Sequence, residues 1–124
     1  MINEIIRKYG DFGDSVITNI HYDTFIKENY KQRLEITIIC FNVENDFRHE
    51  VIKLIFEDIF DFVFIERDNI SNWVSGGMYI MQNDDEIVFD FNPKDYFDYV
   101  EENPDSRFKI KCRKVSYEFL GVNE

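Results

Sequence analysis

The stretch from residue 47 to 69, FRHEVIKLIFEDIFDFVFIERDN, sets a large apolar side chain at every second position: Ile52, Leu54 and Phe56, then, past Asp58, Phe60, Phe62 and Phe64. Period two sends alternate side chains to opposite faces of an extended chain, whereas a helix face needs apolar residues three and four apart. Such a run is a strand with one buried face, and it requires a sheet to lie in. Glu57-Asp58 is the place where a turn would divide it into two pieces.

The same period recurs along the chain. Val16, Thr18, Ile20 and Tyr22 share one side of a first strand, with Ile17, Asn19, His21 and Asp23 on the other. Leu34, Ile36, Ile38 and Cys40 line a second strand whose far half, with Ile39 and Phe41, reads as buried on both sides. Met78 and Ile80 against Ile87, Phe89 and Phe91 describe a hairpin joined by a loop, QNDDE, longer than the two-residue minimum. In the last run Phe108, Ile110 and Cys112 keep one parity, and Val115, Tyr117 and Phe119 the other, so a bulge or bend is expected near Arg113-Lys114.

Two segments have helical spacing. Ile2, Ile5, Ile6 and Tyr9 form one helix face that Gly10 ends. Farther on, Asn92 is placed as an N-cap, Pro93 at the first helical position and Asp95 in the first turn. Tyr96, Phe97 and Val100 would then form the apolar side, with Asn103-Pro104 as the stop. The fold class expected is α+β: one domain over residues 1–124 built on a single antiparallel sheet of about six strands, with a short N-terminal helix and a short helix before the last strand.

A chain of 124 residues with thirteen Phe and seven Tyr has the apolar material for one core. Cys40 and Cys112 lie in apolar β-like runs without C-x-x-C spacing and read as buried free thiols. No apolar run has the length of a membrane span, and Glu4 interrupts what would be a leader's apolar region, so a cytoplasmic location is expected.

Charge is the feature that bears most on function. The formal net charge is −11, and residues 84–105 alone carry nine acidic side chains and one basic, while residues 106–124 are net positive. A segment of that density repels phosphates and attracts basic surfaces, which argues against nucleic-acid and membrane partners and for a basic protein partner. Asp84, Asp85, Glu86, Asp90, Asp95, Asp98, Glu101 and Glu102 are the expected contact carboxylates, with Trp73, Tyr96 and Tyr99 as aromatic anchors.

Signals for chemistry are unspecific. Asp14-Ser15 lacks the surroundings of a nucleophilic serine and reads as a pair satisfying backbone groups where the first strand begins. His21 and His49 match no ligand spacing, and Gly76-Gly77 lacks both the lysine of a phosphate loop and the helix that would follow it. No metal or cofactor is expected.

Phe12-x-Asp14-Ser15-x-Ile17-x-x-Ile20, the strand from Leu34 to Cys40, Leu54-x-Phe56-x-x-Ile59-x-x-Phe62 and the closing strand around Ile110 and Cys112 follow one another in an order that resembles the small immunity proteins of bacterial polymorphic-toxin systems. Gly13 departs from the His that commonly precedes the Asp in such families. The resemblance implies a non-enzymatic α+β protein that neutralises a cognate toxin. Two other readings stay open: a small-ligand binder or enzyme with a carboxylate in an aromatic-lined pocket, and an oligomer joined through a free sheet edge or the Phe-rich run 54–64.

Overall fold

The computed structural model describes residues 1–24, 32–65, 73–74 and 76–123. One helix, α1 (Ile2–Tyr9), is followed by β1 (Ser15–Asp23), β2 (Arg33–Asn42), β3 (Arg48–Phe64), β4 (Trp73–Val74), β5 (Tyr79–Asn83), β6 (Glu86–Asp90), β7 (Lys94–Tyr96), β8 (Tyr99–Glu101) and β9 (Phe108–Val122). Seven strands form one sheet in the order β4-β1-β2-β3-β9-β6-β5, every pair antiparallel, and β7 and β8 form a separate two-stranded ribbon. Among the described residues no helix is long and apolar enough to cross a membrane.

The run 48–64 is one strand, not two. Asp58 takes a positive φ of 53°, and Glu57-Asp58 lies against Arg113-Lys114 of β9, where Glu57 faces Lys114 and Ile59 faces Cys112. Both strands therefore change parity at the same level: Phe56 and Val115 are buried on one side of the bend, Ile59 and Cys112 on the other. Beyond the bend Ile59, Phe62, Ile110 and Cys112 stay with the core, whereas a register shift between Ile59 and Asp61 leaves Phe60, expected on the buried face, exposed with the Arg113 guanidinium over its ring. The far half of the β3-β9 ribbon reaches back toward β1, so that the rings of Phe62 and Tyr22 meet edge-on at 4.9 Å.

The core fills the face of the sheet that α1 covers. Leu34, Ile36, Ile38, Ile52, Leu54, Phe56, Phe89 and Ile110 are fully buried there, under Ile2, Ile5, Tyr9 and Phe12. Ile6, expected on the same helix face, points outward and is exposed. In β1 an irregularity between Ile17 and Asn19 shifts the parity, so Ile17, Ile20 and Tyr22, not Val16 and Thr18, lie beside the core residues Ile38, Ile36 and Leu34. The opposite face carries charges that alternate in sign across the strands, Asp23, Arg33, Glu57 and Lys114 standing in one row. Arg33 and Lys53 bridge Glu35 at 3.0 and 3.7 Å, so this face is electrically mixed.

A buried carboxylate anchors α1 to the end of the sheet. Glu50 accepts hydrogen bonds from Tyr9 Oη at 2.9 Å, Asn42 Nδ2 at 3.0 Å and Arg48 Nη2 at 2.7 Å. Burial pushes its pKa up, but these bonds and the Arg48 charge outweigh that and hold it below the ordinary carboxylate value.

Residues 92–104 contain no helix. Asn92 and Asn103 both donate their backbone N–H to the single carboxylate of Asp90, at 3.0 and 2.8 Å, and Asn103 Nδ2 donates to the carbonyl of Asn92. A helix over this span would hold its ends ~16 Å apart. Closure on Asp90 forces the intervening chain to double back, and Tyr96-Phe97-Asp98-Tyr99 forms the tip of the β7-β8 hairpin.

Candidate functional site

Asp90, at the end of β6, is fully buried, and its carboxylate has a full set of donors: the two backbone N–H groups just described and Ser106 Oγ at 2.6 Å. It is therefore a structural anchor and leaves the set of contact carboxylates. Glu102 leaves it too, because it accepts from Lys109 Nζ at 2.9 Å and lies 3.6 Å from Lys111 Nζ. The Lys109 hydrogen bond, opposed by partial burial and helped by the Lys111 charge, holds the Glu102 carboxyl below its ordinary pKa. The positive charge of β9 thus neutralises one of the expected acids from within the fold.

The remaining carboxylates form two groups. Asp84 and Asp85 form a two-residue turn, tighter than the loop expected, closed by the pair Asn83 and Glu86. Asp84 adopts a φ of 53°, a conformation that Asp tolerates in hairpin turns. All three acids are exposed. Four residue steps of strand, ~13 Å, separate Glu86 from Asp90, and Asp95, Asp98 and Glu101 lie beyond Asp90 on the hairpin. The acidic segment is thus two poles along the β5-β6 arm rather than one unbroken field.

The second pole has the geometry of a contact site. Alternation along the β7-β8 ribbon sends Lys94, Tyr96, Tyr99 and Glu101 to one side, Asp95 and Val100 to the other. Asp95 lies against the backbone of Gly76, where an added Cβ would meet its carboxylate, and Val100 is half-buried, so that side faces the body of the protein. On the outer side the rings of Tyr96 and Tyr99 stack at 4.8 Å with 21° between their planes. Phe97, at the turn, is fully exposed, and Asp98 beside it is exposed. Three aromatic rings therefore stand in water, with the carboxylates of Asp98 and Glu101 and the cation of Lys94 as their charged neighbours on the ribbon. The Trp73 side chain lies outside the described residues.

Phe97, expected on the apolar side of a helix, is instead the most exposed aromatic ring among the described residues. A usable signal was present: four β-favouring residues, Tyr96, Phe97, Tyr99 and Val100, cluster within five positions, and Asn92 and Asn103 flank them.

The other candidates are resolved in position. Ser15 is buried and its Oγ has no hydrogen-bond partner among the described residues; the backbone N–H groups of Asp14 and Ser15 bind Val74 O and Phe12 O, so the main chain does the work expected of the side chains. His21 is exposed and bonds Asp23 at 3.2 Å, and the His49 ring packs on Phe41. Among the described residues no three His, Cys, Asp or Glu side chains are grouped to hold a metal ion. A cavity of about 320 Å³ is lined by Met1, Ile2, Glu57, Gln82, Ile87 and the 113–116 segment of β9, without an aromatic ring. Comparison with family models, with curated proteins and with solved structures found no match to the chain.

Proposed function

We propose that the protein binds a basic protein partner, in the manner of an immunity protein neutralising a cationic toxin such as a nuclease, and that the β7-β8 hairpin is the centre of the contact. The observation that supports this most is the fully exposed Phe97 between the stacked Tyr96 and Tyr99, with Asp95, Asp98 and Glu101 in the same ribbon. Exposed aromatic rings within an acidic rim supply what a tight contact with a basic surface uses: desolvated anchors at the centre and complementary charge around them. The charge speeds encounter, toward ~10⁸ M⁻¹s⁻¹ at low salt, and the rings slow dissociation.

The test is retention of a partner from cells that naturally make the protein, with wild type and the variant Phe97→Ser immobilised side by side. Wild type should hold a basic protein at low salt and release it at high salt, and the variant should fail to hold it. Growth of cells expressing the captured protein, with and without this chain, then reads neutralisation. A companion held equally by both columns, or indifferent to salt, removes the reading.

A further inference from the structure

The sheet ends on β5, whose only neighbour is β6, and among the described residues nothing pairs with its other edge. Natural edge strands are protected by charges, proline, bulges or a covering segment. Tyr79-Ile80-Met81-Gln82-Asn83 has no charged residue and no proline in a chain that is 31% charged, and its register with β6 runs from Tyr79–Asp90 to Asn83–Glu86 without a shift. The two-residue turn makes Asn83–Glu86 the narrow pair, so Ile80 and Gln82 direct their backbone N–H and C=O groups outward. Among the described residues this edge is short, regular in register, uncharged and unpaired.

Both of its ends are acidic. Asp84, Asp85 and Glu86 follow it, and Asp95 rests on Gly76, three residues before its start, with Asp98 and Glu101 in the same hairpin. We propose that β5 is a docking edge for an extended segment of the partner with basic residues at its two ends, which adds a strand to the sheet; this rests on the basic-partner reading above. The incoming strand takes on the order of four main-chain hydrogen bonds from Ile80 and Gln82, while its cations meet the carboxylates at either end. A second copy of this chain fits the edge poorly. Antiparallel pairing of two β5 strands about Met81 sets Asp84 and Asp85 of each copy beside Asp95 of the other, like charge on like charge.

The probe is the peptide Lys-Thr-Val-Thr-Val-Thr-Lys, titrated to ~1 mM against the full chain at low salt, with affinity read by fluorescence anisotropy and amide exchange read at Ile80 and Gln82 by NMR. Binding should slow exchange at those two amides by about tenfold or more. A peptide with both valines replaced by proline should lose that protection, and one with glutamine in place of lysine should bind about tenfold more weakly. Gln82→Pro, which removes an outward N–H that an edge strand can spare, should abolish peptide binding. Equal binding of the proline peptide, with exchange unchanged, would overturn strand addition while leaving the attraction to basic partners intact. Equal binding of the glutamine peptide would overturn the basic occupant and, with it, the reading of the acidic poles. No binding at ~1 mM, or a concentration-dependent dimer that Gln82→Pro dissolves, would overturn the proposal outright.

Discussion

Replacing Asp90 by Asn tests whether one buried carboxylate shapes the candidate site. The change is nearly isosteric, but the amide has one acceptor oxygen where the carboxylate has two. One oxygen of Asp90 accepts from Asn92 N and Ser106 Oγ, the other from Asn103 N. In the variant an NH₂ group faces one of these donors. A hydrogen bond to a charged group, worth about 1.5–3 kcal/mol, is lost, and a backbone N–H at a buried site goes unpaired at about 1–3 kcal/mol. These costs overlap, so about 3 kcal/mol is expected. For 124 residues that lowers Tm by about 12 °C. Urea unfolding followed by circular dichroism measures the first quantity and calorimetry the second. Amide exchange should rise first at Asn103 and Ser106, because release of this end frees the β7-β8 hairpin before the sheet opens. A loss below about 0.5 kcal/mol, or protection at Asn103 unchanged, would refute the claim that Asp90 closes the 92–103 segment.

Other perturbations separate fold from surface. Phe97→Ser should leave unfolding free energy within about 0.5 kcal/mol of wild type, since the ring is already in water, while partner retention is lost. Cys40 and Cys112 are buried, and burial pushes both thiols up to about 12, so a thiol reagent at pH 8 should label neither until denaturant is added; fast labelling of the native protein would contradict the core described here. The Glu50 pKa is depressed in the folded protein, so its contribution is fully present above its ordinary value of 4.5 and is lost as pH falls through the folded value. Denaturant midpoints measured from pH 7 to 2 should fall in that acid window, and Glu50→Gln should lower stability at pH 7 and flatten the slope. A variant with the wild-type slope would mean that Glu50 carries none of it. Glu102, also depressed, contributes in the same direction and accounts for slope that remains.

The strands were legible because period two is a local property: each apolar residue of Leu34 to Cys40 or Ile52 to Phe56 is recognisable beside its neighbours. The same holds for α1, whose Ile2, Ile5 and Tyr9 spacing and terminal Gly10 need no partner to be read. Even the irregularities left a trace. A turn suspected at Glu57-Asp58 and a bend suspected at Arg113-Lys114 are the two sides of one kink, but that they face each other is a matter of β3-β9 register, which sets residues more than fifty positions apart side by side.

The site was less legible, for a related reason. Helical signals in Asn92-Pro93 and Tyr96-Phe97-Val100 were real local preferences, and hydrogen bonds from residues thirteen and sixteen positions beyond Asp90 overrode them. Charge counting likewise treats all carboxylates alike. Burial of Asp90 and the approach of Lys109 and Lys111 to Glu102 remove two of them, and the length of β6 divides the rest.

What the amino-acid order determined alone is the β-rich class, the N-terminal helix, the reserve of apolar side chains and the excess of negative charge, all properties of residue type and short spacing. Which acids meet water, where the chain doubles back and which aromatic ring stands exposed were decided by tertiary contacts. Solvation and hydrogen-bond closure depend on what lies across space, and no local period records that.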